Sequence, residues 1–132
     1  MGPNHAQIIR VYTREVGSPI ADFVLDATKP AEVVVEVEAG ATVFGTGAKY
    51  RTGFMVKDLE TGTTIAFSPA PAVGAFGSPP WGTPSEALVY TMTPAALGPH
   101  AGHLCRVYAY LLVGIANYDA SFVESDLFLI EP

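Results

Sequence analysis

From Glu32 to Glu38 the apolar Val33, Val35 and Val37 take one parity and the charged Glu32, Glu36 and Glu38 the other. That period of two predicts a strand with one face on a core and one in water. Pro30 before it and four valines within it argue against a helix. The same alternation predicts strands over 8–16, with Ile9, Val11 and Thr13 against Arg10, Tyr12 and Arg14, and over 20–27, with Ala21, Phe23 and Leu25 on one face. A short strand is predicted at 42–44. Residues 54–59 and 63–68 read as a hairpin about Glu60-Thr61-Gly62, whose glycine can take a positive φ. Further strands are predicted over 86–92 and 104–115. In the latter Cys105, Val107, Ala109, Leu111 and Val113 share one face and Leu104, Arg106, Tyr108, Tyr110 and Leu112 the other. Apolar on both faces, it belongs in the middle of a sheet. The last strand, 122–130, changes phase between Val123 and Phe128, which a bulge near Ser125-Asp126 would repair.

About eight strands and no long 3.6-residue periodicity make the chain all-β. Composition agrees: β-branched and aromatic residues outnumber Leu, Glu, Lys, Arg, Gln and Met by 45 to 28, and 13 glycines and 11 prolines punctuate the chain. At 132 residues it is expected to be one domain, 1–132, with residues 1–6 a flexible N-terminus. Residues 68–85 hold five prolines and three glycines without periodicity, and read as a long loop. Strand spacing supports a two-sheet antiparallel sandwich or, as the alternative, a closed eight-stranded β-barrel.

Pro99-His100-Ala101-Gly102-His103-Leu104-Cys105-Arg106-Val107 resembles the approach to the F strand of immunoglobulin-like domains, where a small-Gly-x-Tyr-x-Cys pattern precedes the final hairpin. Gly102 matches, while Leu104 stands where the corner tyrosine would be and Arg106 where the second cysteine would be. The resemblance covers the last third of the chain and implies an immunoglobulin-like sandwich with an interaction role.

Charge narrows the partners. Seven Lys+Arg against 13 Asp+Glu leave −6, so nucleic acid is not expected as a partner. The acids concentrate in 15–38 and 119–131, as solvated strand edges would require. The most apolar uncharged run, 107–118, has 12 residues, short of the ~20 of a membrane helix, so no membrane association is expected. One cysteine and no basic-then-apolar leader point to a cytoplasmic protein.

His100, His103 and Cys105 are of metal-ligating type. In an extended strand, however, only His103 and Cys105 share a face, and the simpler reading is a loop-edge histidine pair with a small buried cysteine. The same two residues, roughly 6–7 Å apart on a strand, are too far apart for direct proton transfer to a nucleophile. Gly45-Thr46-Gly47-Ala48-Lys49 lacks the Gly-Lys-Ser/Thr of a phosphate loop and reads as a turn. No cofactor is expected, and the balance lies against an enzyme. The candidate binding residues are aromatic: Phe76 and Trp81 on the proline-rich loop, unless Trp81 folds back as a plug, and Tyr108 and Tyr110 on an exposed sheet face suited to a homodimer. The leading expectation is a non-enzymatic module that binds a protein partner or itself. The alternative is a small barrel enclosing an apolar small molecule, as carrier, cyclase or isomerase.

Overall fold

In the computed structural model, which describes residues 6–67, 72–77, 81–114 and 119–132, the strands form two sheets. Sheet A is antiparallel and contains β1 (Ala6–Glu15), β3 (Ala31–Ala39) and β7 (Ser85–Met92), with β3 in the middle. Val33, Val35 and Val37 are buried against the second sheet, while Glu32, Glu36 and Glu38 take the opposite parity, on which Val34 is nevertheless buried as well.

Sheet B is built on two long central strands, β4 (Lys49–Asp58) and β8 (Leu104–Val113), paired antiparallel from Tyr50 with Val113 to Asp58 with Cys105. Short strands flank this pair. β5 (Thr64–Phe67) and β6 (Ala72–Ala75) share the free edge of β4, and β9 (Asp119–Glu124) and β10 (Phe128–Ile130) share that of β8. β2 (Val24–Leu25) runs parallel to β10. Two separate sheets replace the barrel alternative, and the interior a barrel would leave open is filled by Val33, Val35, Val107, Leu111, Val56 and Phe54.

The phase change in the last strand has a simple cause. Glu124 pairs with Tyr108 and Phe128 with Cys105, so four steps along one side meet three along the other, a one-residue insertion. The Ser125 backbone N–H donates to the Val107 carbonyl at 2.9 Å, and its hydroxyl takes the Val107 N–H at 2.9 Å. The insertion therefore leaves no backbone group of β8 unpaired there.

Three expectations are corrected. The strand predicted at 42–44 is one turn of helix, α1 (Ala41–Gly45). The Gly47 N–H reaches the Phe44 carbonyl and the Ala48 N–H that of Val43, a Schellman closure in which Gly47 supplies φ +63°. The strand predicted over 20–27 shrinks to β2, because Asp22 is held to sheet A by its N–H on the Thr13 carbonyl, whereas the Phe23 carbonyl accepts from Leu129 in sheet B. The segment crosses between sheets instead of pairing along its length. The 68–85 loop contains β6; its residues 68–71 and 78–80, like residues 1–5 of the expected N-terminal tail, lie outside the described residues. Among the described residues no helix is long and apolar enough to cross a membrane.

Candidate functional site

Inward parity on β4 continues from Phe54 and Val56 to Asp58, so alternation carries a carboxylate into the interior at the strand's end. Asp58 has 0% exposure. Its Oδ1 accepts the backbone N–H groups of Glu60 at 2.9 Å and Thr61 at 3.1 Å, an Asx-type closure of the β4–β5 turn, while Gly62 supplies φ +73°. Its Oδ2 is left facing the opposite connection.

That connection delivers two histidines. Thr93 caps the short helix α2 (Pro94–Leu97) by taking the Ala96 N–H on its hydroxyl, and Pro94 fits the first turn. A 3₁₀ turn over Gly98–His100 follows, and Gly102 at φ +85° reverses the chain before β8. His100 and His103 both present Nδ1 to Asp58 Oδ2, at 2.8 and 2.6 Å. Burial alone would raise the Asp58 pKa, but four hydrogen bonds outweigh it and hold the carboxyl well below its ordinary value. An ionised carboxylate only accepts, so each imidazole donates its Nδ1–H in the metal-free chain. The hydrogen bond to Asp58 holds His103 more basic than an ordinary histidine. A second strap lies beside this pin: the Leu104 N–H donates to Glu60 Oε2 at 2.8 Å.

Cys105 does not join the two histidines. Its thiol is fully buried, donates to the His103 carbonyl at 3.6 Å, and is pushed up to about 12 by burial and by the charges of Asp58 and Glu60. Such a thiol is protonated and unreactive at neutral pH. His103 instead turns its imidazole to Asp58, the residue that pairs in register with Cys105. Asp58 escaped the sequence reading, although its core parity beside Phe54 and Val56 was a usable signal.

The aromatic candidates separate into two groups. Phe76 and Trp81, on the 68–85 connection, are buried in the core, with Trp81 folded back as in the plug alternative. They meet edge to face with ring centroids 4.7 Å apart, and Tyr50 lies 5.2 Å from Phe76 and 5.1 Å from Trp81. The Trp81 indole N–H donates to the Pro84 carbonyl at 3.4 Å, so the ring plugs one end of the sandwich with its polar atom paired.

Tyr108 and Tyr110 face outward on β8, half-buried. The register sets Met55 and Glu124 beside Tyr108, and Gly53 and Phe122 beside Tyr110. Phe122, which sequence reasoning missed as a surface residue, is 74% exposed. Around this apolar centre stand Arg51, Lys57 and Arg106 on the same outward parity, the last bonded to Glu124 at 3.4 Å. A second apolar row crosses the sheet at the Asp58 end through Val24, Leu129, Leu104 and Leu59.

No known protein family and no curated protein matches the chain. Solved structures resemble it at the level of fold. The C-terminal domain of Wzt overlays with a TM-score of 0.56 at 10% identity, over 100% of this chain and 75% of that one. A protein assigned as a beta-galactosidase from Bacteroides fragilis overlays with 0.54 at 12% identity, over 94% of this chain but 17% of that much longer one. The CARDB domain of a Pyrococcus furiosus protein gives 0.41 at 15% identity, over 92% of this chain and 93% of that one. The first two overlays agree with two packed sheets and carry no activity over to this chain.

Proposed function

We propose that this chain is a non-enzymatic, immunoglobulin-like β-sandwich module that binds a protein partner through the outer face of sheet B. The observation that carries the reading is Phe122, an aromatic ring 74% exposed beside Tyr110, Tyr108 and Met55 on one flat sheet surface. Contiguous exposed apolar surface on a sheet, rimmed by charge, is the usual mark of a docking site. The rim defines the partner. Arg51 and Lys57 border the apolar centre, while Arg106 is already bonded to Glu124 on the same face, so the complementary surface has an apolar middle and acidic groups opposite Arg51 and Lys57.

The immunoglobulin-like part of the reading rests on β8 with the match shifted by one residue, a shift that gives up Gly102 because Ala101 then stands at the glycine position. Cys105 faces the core, as the F-strand cysteine of such domains does, and His103, two residues earlier, holds the place of the corner tyrosine. Where that tyrosine would bond back to the backbone upstream, His103 bonds to Asp58.

A second copy of the chain is the second reading, in which the apolar Tyr108, Tyr110 and Phe122 face meets the same face of its copy across a twofold axis. A photo-crosslinking residue placed at Phe122, with Val89 on the outer face of sheet A as control, tests both inside cells of the source organism. One heterologous adduct from position 122, absent from position 89, is expected. An adduct of twice the chain's mass selects self-association, and no adduct, or equal yields from both positions, removes the docking role from this face.

A further inference from the structure

We propose that Asp58, His100 and His103 bind one divalent transition-metal ion, with zinc the best match to the ligand set. Three donor atoms from three separate elements, the end of β4, the 3₁₀ turn and the Gly102 reversal, converge within 4.8 Å of one another. A hydrogen-bonded clamp on one carboxylate oxygen would be served by a single imidazole. Here two imidazoles, each with its Nδ1, address the same Oδ2 at 2.8 and 2.6 Å.

Zinc bonds imidazole nitrogen and carboxylate oxygen at roughly 2.0–2.2 Å, which sets tetrahedral ligands about 3.3 Å apart. To reach that spacing each imidazole nitrogen needs to part from Oδ2 by only about 0.5–0.7 Å. The histidines have room to do so, because their side chains keep 15% and 32% exposure while Asp58 is fixed. The fixing is of the kind metal sites use in their outer shell: the Glu60 and Thr61 N–H groups hold Oδ1 and aim Oδ2 as a one-oxygen ligand. Two imidazoles disfavour calcium and magnesium, which take oxygen ligands. Partial exposure of both rings leaves a fourth position to water. Cys105 supplies no ligand, since its thiol is buried and directed at the His103 carbonyl. Bound metal would join points 42 and 45 residues apart in the chain, fastening the β4–β5 turn to the start of β8.

The test uses the full chain, stripped of metal and titrated with zinc alone against a chromophoric chelator, with cobalt(II) as the spectroscopic substitute. One ion per chain is expected, with a visible cobalt spectrum of four or five coordination and a higher melting temperature when loaded. His100→Gln and His103→Gln change partly exposed side chains and are expected to fold. Each should weaken zinc by more than the roughly 10–100-fold that loss of an outer-shell partner costs, whereas Cys105→Ser should not. The Asp58→Asn variant is a further check, and if it fails to fold the histidine variants still decide. Absence of saturable zinc binding, or binding equally tight in both folded histidine variants, overturns the proposal.

Discussion

β4 runs from Tyr50's end of the sandwich to Asp58, roughly 26 Å away, and the two ends are closed by opposite chemistry. At the first, Tyr50, Phe76 and Trp81 close the interior by ring packing, with centroids 4.7 to 5.2 Å apart. At the second, one buried carboxylate holds a turn and two histidines by four hydrogen bonds. The aromatic end depends on volume and apolar area, which are non-directional and tolerate a substitute of similar size. The Asp58 end depends on direction: each bond needs its partner in place, and removing the acceptor strands the donors. At the second end His100 and His103 keep their side chains in touch with solvent. The sealed end stabilises the sandwich, and the open end is where chemistry with an ion can occur.

The largest effect should come from emptying the sealed end. Trp81→Ala removes a fully buried ring and should cost about 3–5 kcal/mol in chemical denaturation, whereas Trp81→Phe, which keeps most of the apolar contact, should cost much less. A loss as small for alanine as for phenylalanine would mean that the ring is not part of the core. Next comes Asp58→Ala, which leaves the Glu60 and Thr61 N–H groups and both imidazoles without their acceptor. About 2–3 kcal/mol is expected from urea unfolding in the presence of a chelator.

pH separates the ends further. Asp58 has its pKa lowered from 3.8, so its contribution is complete above that value and is lost as pH falls through the lower folded value. His103 has its pKa raised from 6.5, so its contribution is complete below 6.5 and is lost as pH rises through the higher folded value. In metal-free protein the pin is therefore strongest between about 3.8 and 6.5. The urea midpoint plotted against pH should keep its shape in Trp81→Phe and flatten on both limbs in Asp58→Ala. A profile equally steep in both variants would show that other groups set it.

Much of the aromatic end and little of the polar end can be read from the sequence. Alternation reports burial directly, so Val33 to Val37, the 54–68 hairpin and the one-residue insertion before Phe128 are visible in residue order. Trp81 as a plug was one of two readings, and only packing could choose between them. The Asp58 site combines three segments through turns. His100 and His103 look unrelated to position 58 because Gly102 and the 3₁₀ turn, not a periodic element, aim them. The helix α1 was hidden for a related reason: Thr42 and Val43 favour strands, and the Gly47 closure overrides that local preference. Phe122 was visible as an apolar strand residue, but its parity relative to the core is set by the insertion three residues later.

The smallest expected effect is also the most local. Cys105 pairs in register with Asp58, and its thiol is buried and pushed up to about 12, so a thiol reagent can reach it only when that end opens. His103→Gln removes one of the four bonds on Asp58 and leaves the aromatic plug untouched. Under conditions where reclosing is faster than labelling, the rate follows the population of the open form. Maleimide labelling of Cys105 in the folded state should therefore accelerate on the order of a few-fold in His103→Gln and stay near the wild-type rate in Trp81→Phe, provided each variant remains far below its unfolding midpoint. Zinc added to the wild type should slow the same reaction, because the ion would hold together the two segments whose separation exposes the thiol. If Trp81→Phe accelerates labelling as much as His103→Gln does, opening is global, and the two ends of the sandwich unfold as one unit despite their different construction.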